Sequence, residues 1–401
     1  MAASRSEARG GAPSLGRRAS SPHVASGKRG VQLSPAASRG PRPVRAPGAG
    51  VRDLRLDNLK GVLILLVVLC HSLWGYRTLD EVAPFLKLVY VFHMPAFIFV
   101  SGYLTKDSRT VPARPILTLL AVYAVANGLM IAAVVGRGGG LTLLQPYYSC
   151  WYLLSLACWR LAVPLISRWR GALPASIILS LSVGWCAEID NVLAVGRTIA
   201  FAPFFIAGFL CRKHAVLDRL RSRLPGGRSL LCGGAILLAG LVVAHAGVGV
   251  LGVTLSDELM EPYRQGFAAG APVRLFLMAS ATAIVLGAML CFPSRCIPGI
   301  TKLGRNSLTV YAFHRIPTLV LLMLLPASGF SPLYWLAAAV ATAAILWVLS
   351  LDAVEHGFRR LAGEAAGIAL GERGERARSM LLWGLVAVLV VLFAIASVRG
   401  A

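Results

Sequence analysis

60-KGVLILLVVLCH-71 sets a cation and an imidazole at the two ends of a run of ten residues, almost all of them apolar. An ionisable ring inside such a run is expensive and calls for a partner or a task. The run is one of many. The chain has 401 residues, of which 57% are hydrophobic and 14% charged, and its mean hydropathy is +0.70. Soluble domains carry about 25% charged residues. An integral membrane protein follows.

Outward from that run, apolar stretches of spanning length predict an all-α, polytopic transmembrane bundle of about 10–11 helices. They lie at 59–77, 85–105, 115–135, 147–166, 173–189, 196–211, 229–251, 272–292, 306–326, 332–351 and 379–398. The fifth and sixth are short. With the N-terminus in the cytoplasm, the inner segments are the tail to Lys60, then 106–114, 167–172, 212–228, 293–305 and 352–378. These hold most of the 40 basic residues, while the outer loops carry acids such as Asp80, Glu81, Asp257 and Glu258. That alternation fixes the expected sidedness. It also accounts for a net charge of +23 without nucleic acid as a partner.

Four regions are expected. Residues 1–51 are a basic tail rich in Ala, Arg, Gly, Ser and Pro, which cannot bury a core. Residues 52–351 form the main transmembrane domain. Residues 352–378 are either an amphipathic helix on the inner membrane face or a charged linker. Residues 379–401 add a C-terminal helix. The eight cysteines include no CxxC pair and read as small core hydrophobes, so no metal is expected.

Three histidines fall within spans: His71, His93 and His314. Counting helical rise puts His71 ~9 Å and His93 ~12 Å from the outer face, and His314 ~12 Å from the inner face. On that count they mark a polar path across the bilayer rather than one layer. The bland alternative for each is a helix-packing hydrogen bond. Each has company, however. Helix 1 opens on 52-RDLRLDNLK-60. Helix 2 carries 92-FHMPAFIFVSGYLTK-106, in which Pro95 interrupts the backbone ladder and Ser101–Gly102 allow close approach. The ninth span is preceded by 303-LGRNSLTVYAFHR-315, where Arg305 and Asn306 are placed to hold an anionic ligand at a helix N-terminus. Arg315 lies deep in an apolar run and needs a partner or a wet cavity.

Four stretches resemble the membrane-bound acyltransferase 3 family, and within it the fucose 4-O-acetylase-like acetyltransferases. They are 52-RDLRLDNLKGVLILLVVLCH-71, 92-FHMPAFIFVSGYL-104, 150-CWYLLSLACWR-160 with 203-PFFIAGFLCRKH-214, and 303-LGRNSLTVYAFH-314. The family hallmark is a basic residue, ten residues and a histidine, here Lys60 and His71. The family often has Arg at the first position, so Lys keeps the charge but not the planar fork. The basic run after the second helix is kept only loosely in 106-KDSRTVPAR-114. Many members have ten helices and a fused outer domain; this chain adds a helix instead, which suggests action alone, as a homo-oligomer, or with a partner protein.

The resemblance implies transfer of an acyl group, usually acetyl from acetyl-CoA, to a hydroxyl of a carbohydrate or glycolipid acceptor. His71 would be either the general base or the first acceptor of the acyl group, with Lys60, His93 and His314 as further candidates. Arg52, Arg55 and Lys60 would hold the donor's phosphates at the inner mouth, with Arg305 and Asn306 beside them. A bacterial plasma membrane is the expected location. The competing reading is a transporter or flippase for a sugar or glycolipid, and a blander one is a scaffold subunit of an envelope-building complex.

Overall fold

The computed structural model describes residues 52–135, 146–185, 193–224, 227–251, 267–324 and 331–371. The tail 1–51, the eleventh expected span at 379–398 and the acidic residues Asp257 and Glu258 lie outside them. Among the described residues, regular structure is helical throughout. In chain order the helices are α1 (Leu54–Leu73), α2 (Ala83–Leu104), α3 (Ala113–Val135), α4 (Trp151–Leu161), α5 (Val163–Arg168), α6 (Ala172–Ser182), α7 (Val195–Lys213) and α8 (Val216–Arg223). There follow α9 (Arg228–Leu251), α10 (Phe267–Cys291), α11 (Ile300–Arg305), α12 (Ser307–Phe313), α13 (Arg315–Leu324), α14 (Ser331–Leu349) and α15 (Asp352–Ala369).

Seven of the described helices are long and apolar enough to cross a membrane; they contain α1, α2, α3, α7, α9, α10 and α14. Two further expected spans are broken. The fourth divides between α4 and α5, where Pro164 sits in the first turn of α5 and lacks an N–H to continue the ladder. The ninth bends at Asn306 and again at His314. Pro317 follows this second bend and cannot donate back to the carbonyl of Phe313.

α1 is buried on several faces, through Leu59, Leu63, Ile64, Val67 and Val68, as a helix apolar all round must be. Its start is fixed by Asp53, whose side chain accepts the Arg55 backbone N–H at 3.0 Å. Glycines let its neighbours come close. A Cβ on Gly61 would lie 2.1 Å from the carbonyl oxygen of Ile300, and one on Gly304 1.7 Å from that of Asp57. α2 and α7 interlock in the same way: a Cβ on Gly102 would meet the Phe205 carbonyl oxygen at 2.0 Å, and one on Gly208 that of Phe99. Small residues at such crossings are how membrane helices gain packing contact.

At Gly304 the obstacle is backbone, which cannot swing aside. Gly304→Ala is therefore expected to cost about 1–3 kcal/mol through overpacking. Gly234→Ala in α9, where nothing lies within 4 Å of the added carbon, is expected to cost nothing, since Ala is the better helix former. Melting of the two purified variants in detergent checks the pair; equal Tm values would sink the packing argument.

The outward faces of α9 and α14 expose Leu231, Leu238, Val242, Leu336, Val340 and Trp347. Apolar faces of that kind suit lipid rather than water. On the segment expected to be charged, Ser167 donates to Asp107 at 2.5 Å, and Lys213 pairs with the same carboxylate at 3.2 Å. The hydroxyl, then the ammonium, holds the Asp107 carboxyl below its ordinary range. Residues 352–369 form an amphipathic helix, α15, with Ala362 and Ala366 buried and Leu361 exposed. Thr309 on α12 donates to its buried Glu355, which also pairs with Arg359.

Candidate active site

His71 lies near the C-terminal end of α1 and His314 at the bend between α12 and α13. Their rings meet, with His71 Nδ1 2.7 Å from His314 Nε2 and the ring planes within 6° of parallel. The proton positions follow from the other contacts. His314 Nδ1 lies 3.0 Å from the Val310 carbonyl and 2.9 Å from that of Tyr311. Both are acceptors only, so Nδ1 carries the hydrogen and, in the neutral ring, Nε2 is a bare acceptor. His71 Nδ1 must then donate to it. The remaining nitrogen of His71, Nε2, is left with its lone pair. This assignment comes from the hydrogen-bond network.

His71 forms part of the wall of a cavity of about 370 Å³, while His314 is fully buried behind it. The cavity is lined also by Trp74, Tyr90, His93, Tyr148, Arg197 and Arg315, among others. His93 on α2 donates from Nδ1 to the Val89 carbonyl at 2.9 Å, which leaves its own Nε2 as an acceptor. Tyr311 in the wall is held from behind: its hydroxyl donates to the Ser149 carbonyl at 2.8 Å, and its ring packs against Tyr152, which bonds Ser101 at 2.7 Å. The setting is aromatic, with fixed polar atoms.

The three histidines therefore gather at one site rather than marking a path across the bilayer. The depth count does not hold for His314, whose ring reaches that of His71 at 2.7 Å as α12 and α13 pack directly against α1.

The basic candidates lie elsewhere, at the start of α1. Asp57 is buried, its side chain 3% exposed, and Arg52 holds it at 2.5 and 3.1 Å. Lys60 reaches the same carboxylate at 3.1 Å and Arg305 at 3.7 Å. Three cations face one carboxylate, so the cluster keeps an excess of positive charge. Arg52 and Arg305 are about half exposed and have donors to spare, whereas the Lys60 side chain is 14% exposed. Arg55 contributes its backbone N–H to the helix cap. Asn306 turns its amide toward the Ser350 carbonyl at 3.4 Å. Asn58 is also used in packing, bonding the carbonyls of Pro293 and Arg295, each at 2.9 Å, and accepting from Thr301 at 2.6 Å. α1 is unbroken between the two places, so Lys60 and His71 are ~16 Å apart along its axis.

Sequence reasoning missed the aromatic wall and Arg197. 146-PYYSCWY-152 packs four aromatics into seven residues at the start of a span, and that density was the available signal. Arg197 had a signal too, as a cation two residues into the apolar run of α7.

The family described as an acyltransferase domain matches residues 53–351. Nodulation protein NolL of Sinorhizobium fredii is 32% identical over 189 residues, which cover 41% of this chain and 50% of that protein. NolL of Mesorhizobium japonicum is 42% identical over 65 residues, covering 15% of this chain and 17% of that protein. The match thus spans half or less of the length of these relatives. No solved structure matches the chain.

Proposed function

This membrane protein belongs to the acyltransferase 3 family of acyltransferase domains, and on that premise we propose that it moves an acetyl or other short acyl group from an acyl-CoA to a hydroxyl of a carbohydrate or glycolipid acceptor. The observation that carries this reading is the His71–His314 hydrogen bond at the cavity wall, which leaves His71 with a proton-accepting nitrogen. Acyl transfer to an alcohol needs such a base within reach of the hydroxyl. The aromatic lining supports a sugar as acceptor, and His93 Nε2 is a second acceptor for orienting its hydroxyls. A transporter reading has no comparable observation in its favour.

In this reading the donor's phosphates rest on Arg52 and Arg305, whose guanidiniums are part-exposed, with Lys60 adding charge. The acyl-carrying arm of the donor runs beside α1 from the cation cluster to His71. The excess of Lys and Arg on one set of loops supports a cytoplasmic N-terminus and donor entry from that side. A bacterial plasma membrane fits the bacterial relatives.

The test is to incubate the purified full chain with radiolabelled acetyl-CoA and a glycan or glycolipid extract. Label should move to carbohydrate and free CoA should appear. If neither happens, acyl transfer is the wrong reading. In the same assay Lys60→Ala should raise the KM for acetyl-CoA ~10-fold, the effect of losing about 1.4 kcal/mol of charge attraction. Lys60→Arg should stay close to the unaltered chain. Arg52 still holds Asp57 in both variants, so folding should survive; a KM unmoved by Lys60→Ala would remove Lys60 from donor binding.

A further inference from the structure

Arg315 directly follows His314 and lines the same cavity as His71. It is 4% exposed, and its Nε and Nη1 have no hydrogen-bond partner among the described residues. Among the described residues that line the cavity there is no carboxylate. What the guanidinium does have is an aromatic face, with its Cζ 4.6 Å from the centroid of the Tyr148 ring. Tyr148 adopts a positive φ of 46°, a conformation costly for a non-glycine residue, which the surrounding structure must hold in place. The ring satisfies the face of the cation and leaves its N–H edge unsatisfied. A buried cation without an anion is unfavourable. The arrangement becomes favourable when negative charge develops in the cavity.

We propose that Arg315 donates its free N–H groups to the acyl carbonyl oxygen as that oxygen becomes an oxyanion during transfer; this rests on the acyl-transfer reading above. The steps balance. His71 Nε2 takes the proton of the acceptor hydroxyl as the hydroxyl oxygen bonds to the acyl carbon. The carbonyl π pair moves onto oxygen, beside Arg315. That pair then returns, the C–S bond breaks, and the proton on His71 passes to the departing thiolate. The products are an ester and a free thiol. Donors fixed in advance where charge appears stabilise the transition state more than the ground state. Arg315 is thereby a catalytic residue rather than an anchor for an acidic acceptor.

The two roles separate kinetically. The assay is thiol release from acetyl-CoA by the purified full chain, with water as the acyl acceptor, because the same oxyanion forms and no sugar is needed. Arg315→Gln should lower kcat by ~10²–10³, the usual loss for an oxyanion donor. KM for acetyl-CoA should stay within about threefold, since the interaction is absent from the ground state. Arg315→Lys keeps the charge without the fork, is the conservative variant for folding, and should lose ~10-fold in kcat with an unchanged melting temperature. An undiminished kcat in both variants, or a raised KM with kcat intact, overturns the assignment. If either happens while His71→Ala still stops turnover, the acyl-transfer reading stands without it. No His71-dependent thiol release from the unaltered chain, either with water or with the glycan extract as acceptor, overturns both.

Discussion

Replacing His71 by alanine is expected to lower kcat for acyl transfer by ~10²–10⁴, the range that a positioned general base supplies. Its two ring nitrogens have different tasks. One is committed to His314 at 2.7 Å and the other is left as an acceptor on a ring that lines the cavity. No other described group combines a free imidazole nitrogen with a second histidine fixing its tautomer; His93 is held only by the Val89 carbonyl. The variant should fold, because the alanine leaves His314 with both of its carbonyl contacts and opens only space that water fills. Losing the one histidine–histidine bond should cost about 0.5–1.5 kcal/mol. The rising limb of the pH–rate profile, which reports the base, should flatten in the residual activity. A variant that keeps more than about a tenth of wild-type kcat would fall outside the range for a base and would move the chemistry to another residue, with His93→Ala the next to measure.

His71 was legible in the sequence, and so was its distance from Lys60, because α1 is one uninterrupted helix whose rise is fixed by geometry. The meeting of His71 with His314 was not. It depends on how α12 and α13 pack against α1, which a count of residues along one axis does not carry. The role of Lys60 was half legible. The i,i+3 spacing of Asp57 and Lys60 is visible in 57-DNLK-60, but that Asp57 is buried and draws in Arg52 and Arg305 depends on Gly304 lying against its backbone. Tyr148 and Arg197 left a signal in the sequence but not a place in the fold. An aromatic or a cation in an apolar run reads the same whether it faces lipid, a neighbouring helix or a cavity, and only the packing of α4, α7 and α13 together decides which.

His314→Leu is the second large effect. It removes the acceptor for His71 Nδ1–H while keeping an apolar side chain in a buried place. The His71 ring then loses its tautomer preference, and in part of the population its proton sits on the nitrogen that should be bare. Loss of an orienting group behind a catalytic histidine has cost ~10⁴ where that group is a buried carboxylate. A neutral imidazole stabilises the charged ring less, so ~10² in kcat is the expectation here, with KM for acetyl-CoA little changed. His314→Gln discriminates orientation from packing, because its side-chain oxygen can take the position of Nε2 and accept from His71. It should recover most of the lost rate, whereas a role in packing alone would leave Leu the milder change of the two. In the double variant His71→Ala with His314→Leu, the losses should not add, since without the base there is no tautomer to set. Additive losses, or an inactive His314→Gln that melts like the unaltered chain, would separate the two histidines and leave His314 as a packing residue.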